Sequence, residues 1–136
     1  MRSFYFNSFA RVCLVPYVGG IIIHVLRLIY HFPVTAIPVE VDWVVVIVGG
    51  YAGLGLIVFA KRIPFENIWD KLAYGVLVFH LDGSVLLHAY MLSCGSHNAL
   101  RIFPYWYSFV AAVYFLLLGI YVLRLNLRIY SPASNR

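Results

Sequence analysis

The chain has 136 residues, of which 63% are apolar and only 11% are charged, whereas soluble domains average about 45–50% apolar and about 25% charged residues. The surface of a soluble domain of this size needs more charged side chains than this. The composition therefore excludes an ordinary soluble domain, a disordered chain and a disulfide-rich secreted domain. It indicates an integral membrane protein in a lipid bilayer. The net charge of +5 lies at the ends of apolar segments, which favours orientation in the bilayer over nucleic-acid binding.

The first two apolar segments are each close to the length that a membrane helix needs. A helix requires about 20 apolar residues to cross the hydrocarbon core. The first segment covers about residues 12–30, and Pro16 and the pair Gly19 and Gly20 predict a kink or a loosened turn in it. After a connection rich in proline, the second segment covers about residues 43–60 and is almost entirely apolar.

The third segment, about residues 72–93, is the most polar of the four, and the fourth covers about residues 105–123. Aromatic residues gather at the segment ends, as expected where a bilayer meets water. The segments do not alternate between apolar and polar residues, so a membrane β-barrel is not indicated. The sequence therefore predicts one all-α domain over residues 1–136, with four transmembrane helices.

Basic residues predict the orientation of these helices. Eight of the ten lysines and arginines fall before the first segment, between the second and third, or after the fourth: Arg2, Arg11, Lys61, Arg62, Lys71, Arg124, Arg128 and Arg136. Arg101 falls on the opposite side. The positive-inside rule then places both termini on the cytoplasmic or matrix side. The candidate membranes are the bacterial inner membrane and the mitochondrial inner membrane.

Histidines at membrane depth are the first candidate site. His24 and His31 share a face of the first helix, and His80, Ser84 and His88 form a polar stripe on the third. At about 1.5 Å per residue, His24 and His80 reach the same depth. Two imidazoles on facing helices are suitable ligands for a b-type haem. We therefore interpret His24, His80 and His88 first as residues that hydrogen-bond between helices, with a haem or quinone site and a proton path as the alternatives.

Asp82 and Arg27 are the second candidate pair. Asp82 lies about 200° around the helix from His80, so it points away from the histidine stripe. A charged residue at the bilayer centre costs at least about 2.5–3.5 kcal/mol and needs a partner. Arg27 lies within about 5 Å of the same depth. The sequence predicts an intramembrane ion pair between Arg27 and Asp82 that joins the first and third helices.

Small residues on the second helix predict close helix packing. Gly49 and Gly53 form a small-xxx-small face, which allows two backbones to approach each other. Such a face packs either inside a four-helix bundle or against another subunit. Tyr107, Tyr114 and Tyr121 repeat every seven residues on the fourth helix and share one of its faces.

No motif of a soluble enzyme, nucleotide site or metal site is present. The short connections and the glycine face favour a non-enzymatic accessory subunit of a larger membrane complex, such as a bioenergetic one, with other membrane subunits as partners. Two alternatives stay open. One is a membrane anchor that binds haem b or a quinone through helix histidines, and the other is a small transporter or a proton- or ion-conducting protein.

Overall fold

The computed structural model describes residues 2–95 and 104–130, and these residues form helices and short connections with no strand among them. Four helical spans are long and apolar enough to cross a membrane, as the sequence predicts. They are span 1 (Phe4–Tyr30), span 2 (Val39–Arg62), span 3 (Ile68–Cys94) and span 4 (Tyr105–Tyr130). Arg101 and Arg136 lie outside the described residues.

Span 1 consists of two α-helices, Arg2–Val12 and Leu14–Tyr30, which meet at Cys13. Pro16 lacks the N–H that would donate to Val12 and its ring crowds that carbonyl, so the interruption falls in the turn before the proline. The structure begins this span eight residues before the apolar segment, because helical hydrogen bonding continues where the side chains become more polar.

Span 2 changes its helical form beside the centre of the bundle. An α-helix, Val39–Val44, runs into a π-helical turn, Val45–Gly49, and then into the α-helix Gly50–Phe59 and a 3₁₀ turn at Ala60–Arg62. The span starts four residues before the predicted apolar segment. Asp42, expected in the connection, is therefore a helical residue.

Spans 3 and 4 have recognisable starts. The Asn67 side chain accepts a hydrogen bond of 2.9 Å from the Asp70 N–H and so caps span 3, which satisfies one of the free donors of the first turn. Span 3 is a single α-helix, Ile68–Cys94, and ends at Gly95 with a φ of +62°. Span 4 is a single α-helix, Tyr105–Tyr130, that follows Pro104.

Each span runs antiparallel to the next, and span 4 returns along span 1. The Tyr130 hydroxyl donates to the Phe6 carbonyl at 3.0 Å, and the Asn126 amide donates to the Ala10 carbonyl at 2.7 Å. The start of span 1 and the end of span 4 therefore lie at one end of the bundle, here named the terminal end. The other end, where span 1 ends and span 4 begins, is named the opposite end.

Most of the large buried apolar side chains lie in the half of the bundle next to the terminal end. Its contiguous apolar core consists of Phe9, Ala10, Cys13, Tyr17, Ala52, Leu56, Phe59, Ile63, Tyr74, Leu77, Leu81, Leu118, Val122, Leu125 and Ile129. A Cβ placed on Gly55 would lie 2.4 Å from the Cβ of Phe9, so the approach of spans 1 and 2 requires glycine there. The outer surface carries many large apolar side chains, as a bundle surrounded by lipid requires.

Candidate functional site

A cavity of about 620 Å³ occupies the half of the bundle next to the opposite end. Its volume lies within the range of about 300–1,000 Å³ that is usual for small-molecule sites. Spans 1, 2 and 3 supply most of its walls, and span 4 contributes Tyr107 and Phe115. The large apolar core therefore lies towards the terminal end, and the cavity lies towards the opposite end.

Two glycines line this cavity and have free space beside them. Gly19 on span 1 and Gly83 on span 3 both line it, and a Cβ added to either would meet no atom within 4 Å. Gly75, two turns before Gly83 on the same span, has equally free surroundings but does not line the cavity. A larger side chain at either position can therefore be accommodated, and Gly83 is also exposed at the surface of the bundle.

The inner part of the cavity brings two of the predicted histidines to one aromatic ring. The His24 imidazole stacks on Phe115, with 5.4 Å between ring centroids, and the His80 imidazole meets the edge of that ring at 5.2 Å. His80 Nδ1 and the Tyr17 hydroxyl share a hydrogen bond of 3.2 Å. Nδ1 of His24 is buried and has no hydrogen-bond partner. Binding of haem b at these residues stays a prediction.

His88, the third predicted residue, lies nearer the opposite end and bonds to a carboxylate that sequence reasoning missed. Its Nδ1 lies 2.6 Å from Oδ1 of Asp42, and Asp42 is only 2% exposed. Both residues line the cavity. Asp42 was missed because the two prolines before it suggested an extended connection. The available signal was an acidic pair, Glu40 and Asp42, of the kind favoured in the first turn of a helix.

The structure does not bring Arg27 and Asp82 together. Arg27 is 4% exposed, donates from Nη1 to the Ser108 hydroxyl at 2.9 Å, and places its guanidinium 5.0 Å from the centre of the Tyr105 ring. Across residues 2–95 and 104–130, no ion pair joins it to Asp82. Arg27 faces span 4, whereas Asp82 lies against Gly53 of span 2. Equal depth did not place the two side chains on facing surfaces.

Gly49 and Gly53 face span 3 within the bundle. A Cβ on Gly49 would lie 3.0 Å from Val85, and one on Gly53 would lie 2.1 Å from Oδ1 of Asp82. Glycine at position 53 therefore makes room for the Asp82 carboxyl group. The other oxygen of Asp82 is buried and has no hydrogen-bond partner.

The lining of the cavity carries charges of both signs. Arg27 is cationic, and the acidic residues Glu40 and Asp42 line the same space. In the part of the chain that the structure describes, no group of three or more metal-ligating side chains is found. Comparisons with protein-family models, curated proteins and solved structures give no match.

Proposed function

We propose that this chain binds a small molecule within the membrane, in the cavity next to its opposite end. The observation that supports the proposal is a cavity of about 620 Å³ that contains imidazole, guanidinium and carboxyl groups between membrane-spanning helices. Apolar clefts with a few polar groups are the usual form of small-molecule sites. Ionisable residues within spans commonly mark functional sites, because their burial is costly.

Exposed residues at mid-span indicate how a molecule reaches this cavity. Phe79 is 83% exposed and Val15 is 49% exposed, yet both line the cavity. Each lies near the middle of its 27-residue span. A cavity wall that is also part of the outer surface at this depth opens towards the acyl chains. The route of entry therefore leads from the bilayer.

The proposed binding is tested by filling the cavity. Native mass spectrometry of the chain released from its expression membrane should show a non-covalent small-molecule adduct. Gly83→Leu and Gly19→Leu should lose that adduct, because both positions line the cavity and a larger side chain there reduces its volume. Gly75→Leu is the matched control and should keep it. An adduct that survives both filling substitutions, or no adduct on the unaltered chain, contradicts the proposal.

The orientation proposed for the bundle follows its basic residues. Arg11, Lys61 and Arg124 are exposed at or near the terminal end. The positive-inside rule places this end on the cytoplasmic or matrix side. In a background with both native cysteines replaced, Thr35→Cys and Lys61→Cys should react with an impermeant maleimide from opposite sides of sealed vesicles. Labelling of both from one side contradicts the four-span orientation.

The accessory-subunit role stays a prediction, since nothing in the structure bears on a partner. The two functions differ in what the purified chain does. A subunit whose only role is packing is extracted from the membrane together with its partners. It shows no small-molecule adduct that is lost when the cavity is filled. A small-molecule carrier shows that adduct in the absence of any other protein.

A further inference from the structure

The wall of the cavity includes a histidine with a buried ring nitrogen that makes no hydrogen bond among the described residues. Nδ1 of His24 is buried without a hydrogen bond, and His24 lines the cavity. Leaving such an atom unsatisfied is costly. A hydroxyl group can both donate to and accept from an imidazole nitrogen, and a carbonyl oxygen can accept from its N–H form. Because this atom has almost no accessible surface, the imidazole must turn towards the cavity for an oxygen on a bound molecule to satisfy it.

Flat rings surround this position. His24 packs against Phe115 at 5.4 Å and against Tyr107 at 6.1 Å between ring centroids. His80 lies at the edge of Phe115, and Tyr114 lies 4.9 Å from His80. Aromatic walls favour stacked or edge-on contact with another ring. The oxygen-bearing end of the molecule is therefore expected to be cyclic.

The charges in the cavity favour a neutral molecule. An anion near Arg27 would share the space with the carboxyl groups of Glu40 and Asp42, and a cation near those carboxyl groups would share it with Arg27. Like charges brought together in a medium of low dielectric repel strongly. A neutral molecule avoids both repulsions, and entry past Phe79 from the acyl region requires it to be soluble in lipid.

We infer that the cavity binds a neutral, lipid-soluble ring compound whose hydroxyl or carbonyl oxygen hydrogen-bonds to the His24 imidazole. The inference rests on the proposed binding function and names the class of its ligand. Sterols supply this chemistry as a ring alcohol, and quinones supply it as a ring ketone.

The test uses photoreactive probes and full-length chain in lipid nanodiscs. One probe is a diazirine-bearing cholesterol and the other is a diazirine-bearing ubiquinone analogue. Each labelling reaction is competed with an oxygenated compound and with its oxygen-free counterpart: cholesterol against cholestane, and decylubiquinone against decylbenzene. Peptide mass spectrometry locates the adducts. At least one probe is expected to label residues that line the cavity, and its oxygenated competitor is expected to be the stronger one.

Substitutions of His24 then isolate the hydrogen bond. His24→Phe keeps a ring against Phe115 but removes both nitrogens, and it should weaken competition by the oxygenated compound about tenfold. The oxygen-free compound should be unaffected. His24→Gln restores a hydrogen-bonding group and should recover part of the loss. The probe that labels, sterol or quinone, identifies the source of the ring oxygen.

Failure of this inference and failure of the proposed function give different results. If cholestane or decylbenzene competes as well as its oxygenated partner, or if His24→Phe leaves competition unchanged, the ligand class is wrong while cavity binding stands. If neither probe labels the cavity, the ligand class is also wrong, and the native adduct then decides whether the cavity binds anything. Labelling that Gly83→Leu and Gly19→Leu leave unchanged contradicts the proposed function itself.

Discussion

Substitution of Gly55 by alanine tests the closest approach between two spans. In the structure, a Cβ on Gly55 would lie 2.4 Å from Cβ and 2.6 Å from Cγ of Phe9. Carbon atoms in contact normally lie about 3.5–4.0 Å apart. Because the Cβ of Phe9 is fixed to the backbone of span 1, no side-chain rotation removes the overlap. Spans 1 and 2 must instead separate by about 1 Å.

The expected loss of stability follows from two opposing contributions. Forcing extra volume into a packed interior costs about 1–3 kcal/mol, and alanine gains about 0.5–1 kcal/mol over glycine inside a helix. Gly55→Ala should therefore lower the free energy of unfolding by up to about 2.5 kcal/mol, with a central value of about 1 kcal/mol. Gly75→Ala is the control, because its new Cβ meets no atom within 4 Å. It should leave that free energy unchanged or raise it slightly.

Both variants are measured by titrating the folded chain in mixed micelles with sodium dodecyl sulfate while following tryptophan fluorescence. The midpoint for Gly55→Ala should fall below that of the unaltered chain, and the midpoint for Gly75→Ala should not. Equal midpoints for the two variants would show that spans 1 and 2 do not approach as closely at Phe9 as the structure has them. The packing of the terminal half would then need revision.

Two further predictions use the same titration. Asp42→Ala should lower the free energy of unfolding by about 1.5–3 kcal/mol, because it removes the buried acceptor of His88. Glu40 is exposed, so Glu40→Ala should change that free energy by at most about 0.5 kcal/mol. Equal losses for the two variants would contradict the Asp42–His88 contact. Asp70 and Arg128 form a two-point contact, with Arg128 Nη2 at 2.9 Å from Asp70 Oδ1. A double-mutant cycle of Asp70→Asn and Arg128→Gln should therefore give a coupling energy of about 0.5–3 kcal/mol. Strictly additive losses of stability would contradict the contact between Asp70 and Arg128.

The four spans were predictable because the length and apolarity of a segment follow directly from the amino-acid sequence. The contact of His24 and His80 with one ring agrees with their predicted equal depth, since the rise per residue of a helix is nearly constant. The partner of Arg27 was not predictable in this way. Depth does not say which neighbouring helix a side chain faces, and Arg27 faces Ser108 of span 4 rather than Asp82.

The glycine face and the cavity show a second limit of the sequence. Gly49 and Gly53 predicted a close approach, but the sequence left open whether the neighbour was span 3 or another subunit. The cavity could not be predicted, because residues of all four spans line it and the sequence does not give the arrangement of the spans. Gly19, Gly75 and Gly83 look alike in the sequence, yet only Gly19 and Gly83 line the cavity.

The pairing of span 1 with span 4 affects the order in which the chain assembles. The Tyr130–Phe6 and Asn126–Ala10 hydrogen bonds join residues more than 110 positions apart. When spans 1 to 3 have been synthesised, the surface of span 1 that will meet span 4 is still uncovered, and Arg27 has not yet met Ser108. Closure of the bundle therefore waits for the last segment to leave the ribosome. A chain that lacks span 4 leaves the carbonyl groups of Phe6 and Ala10 without these donors and Arg27 without the Ser108 hydroxyl.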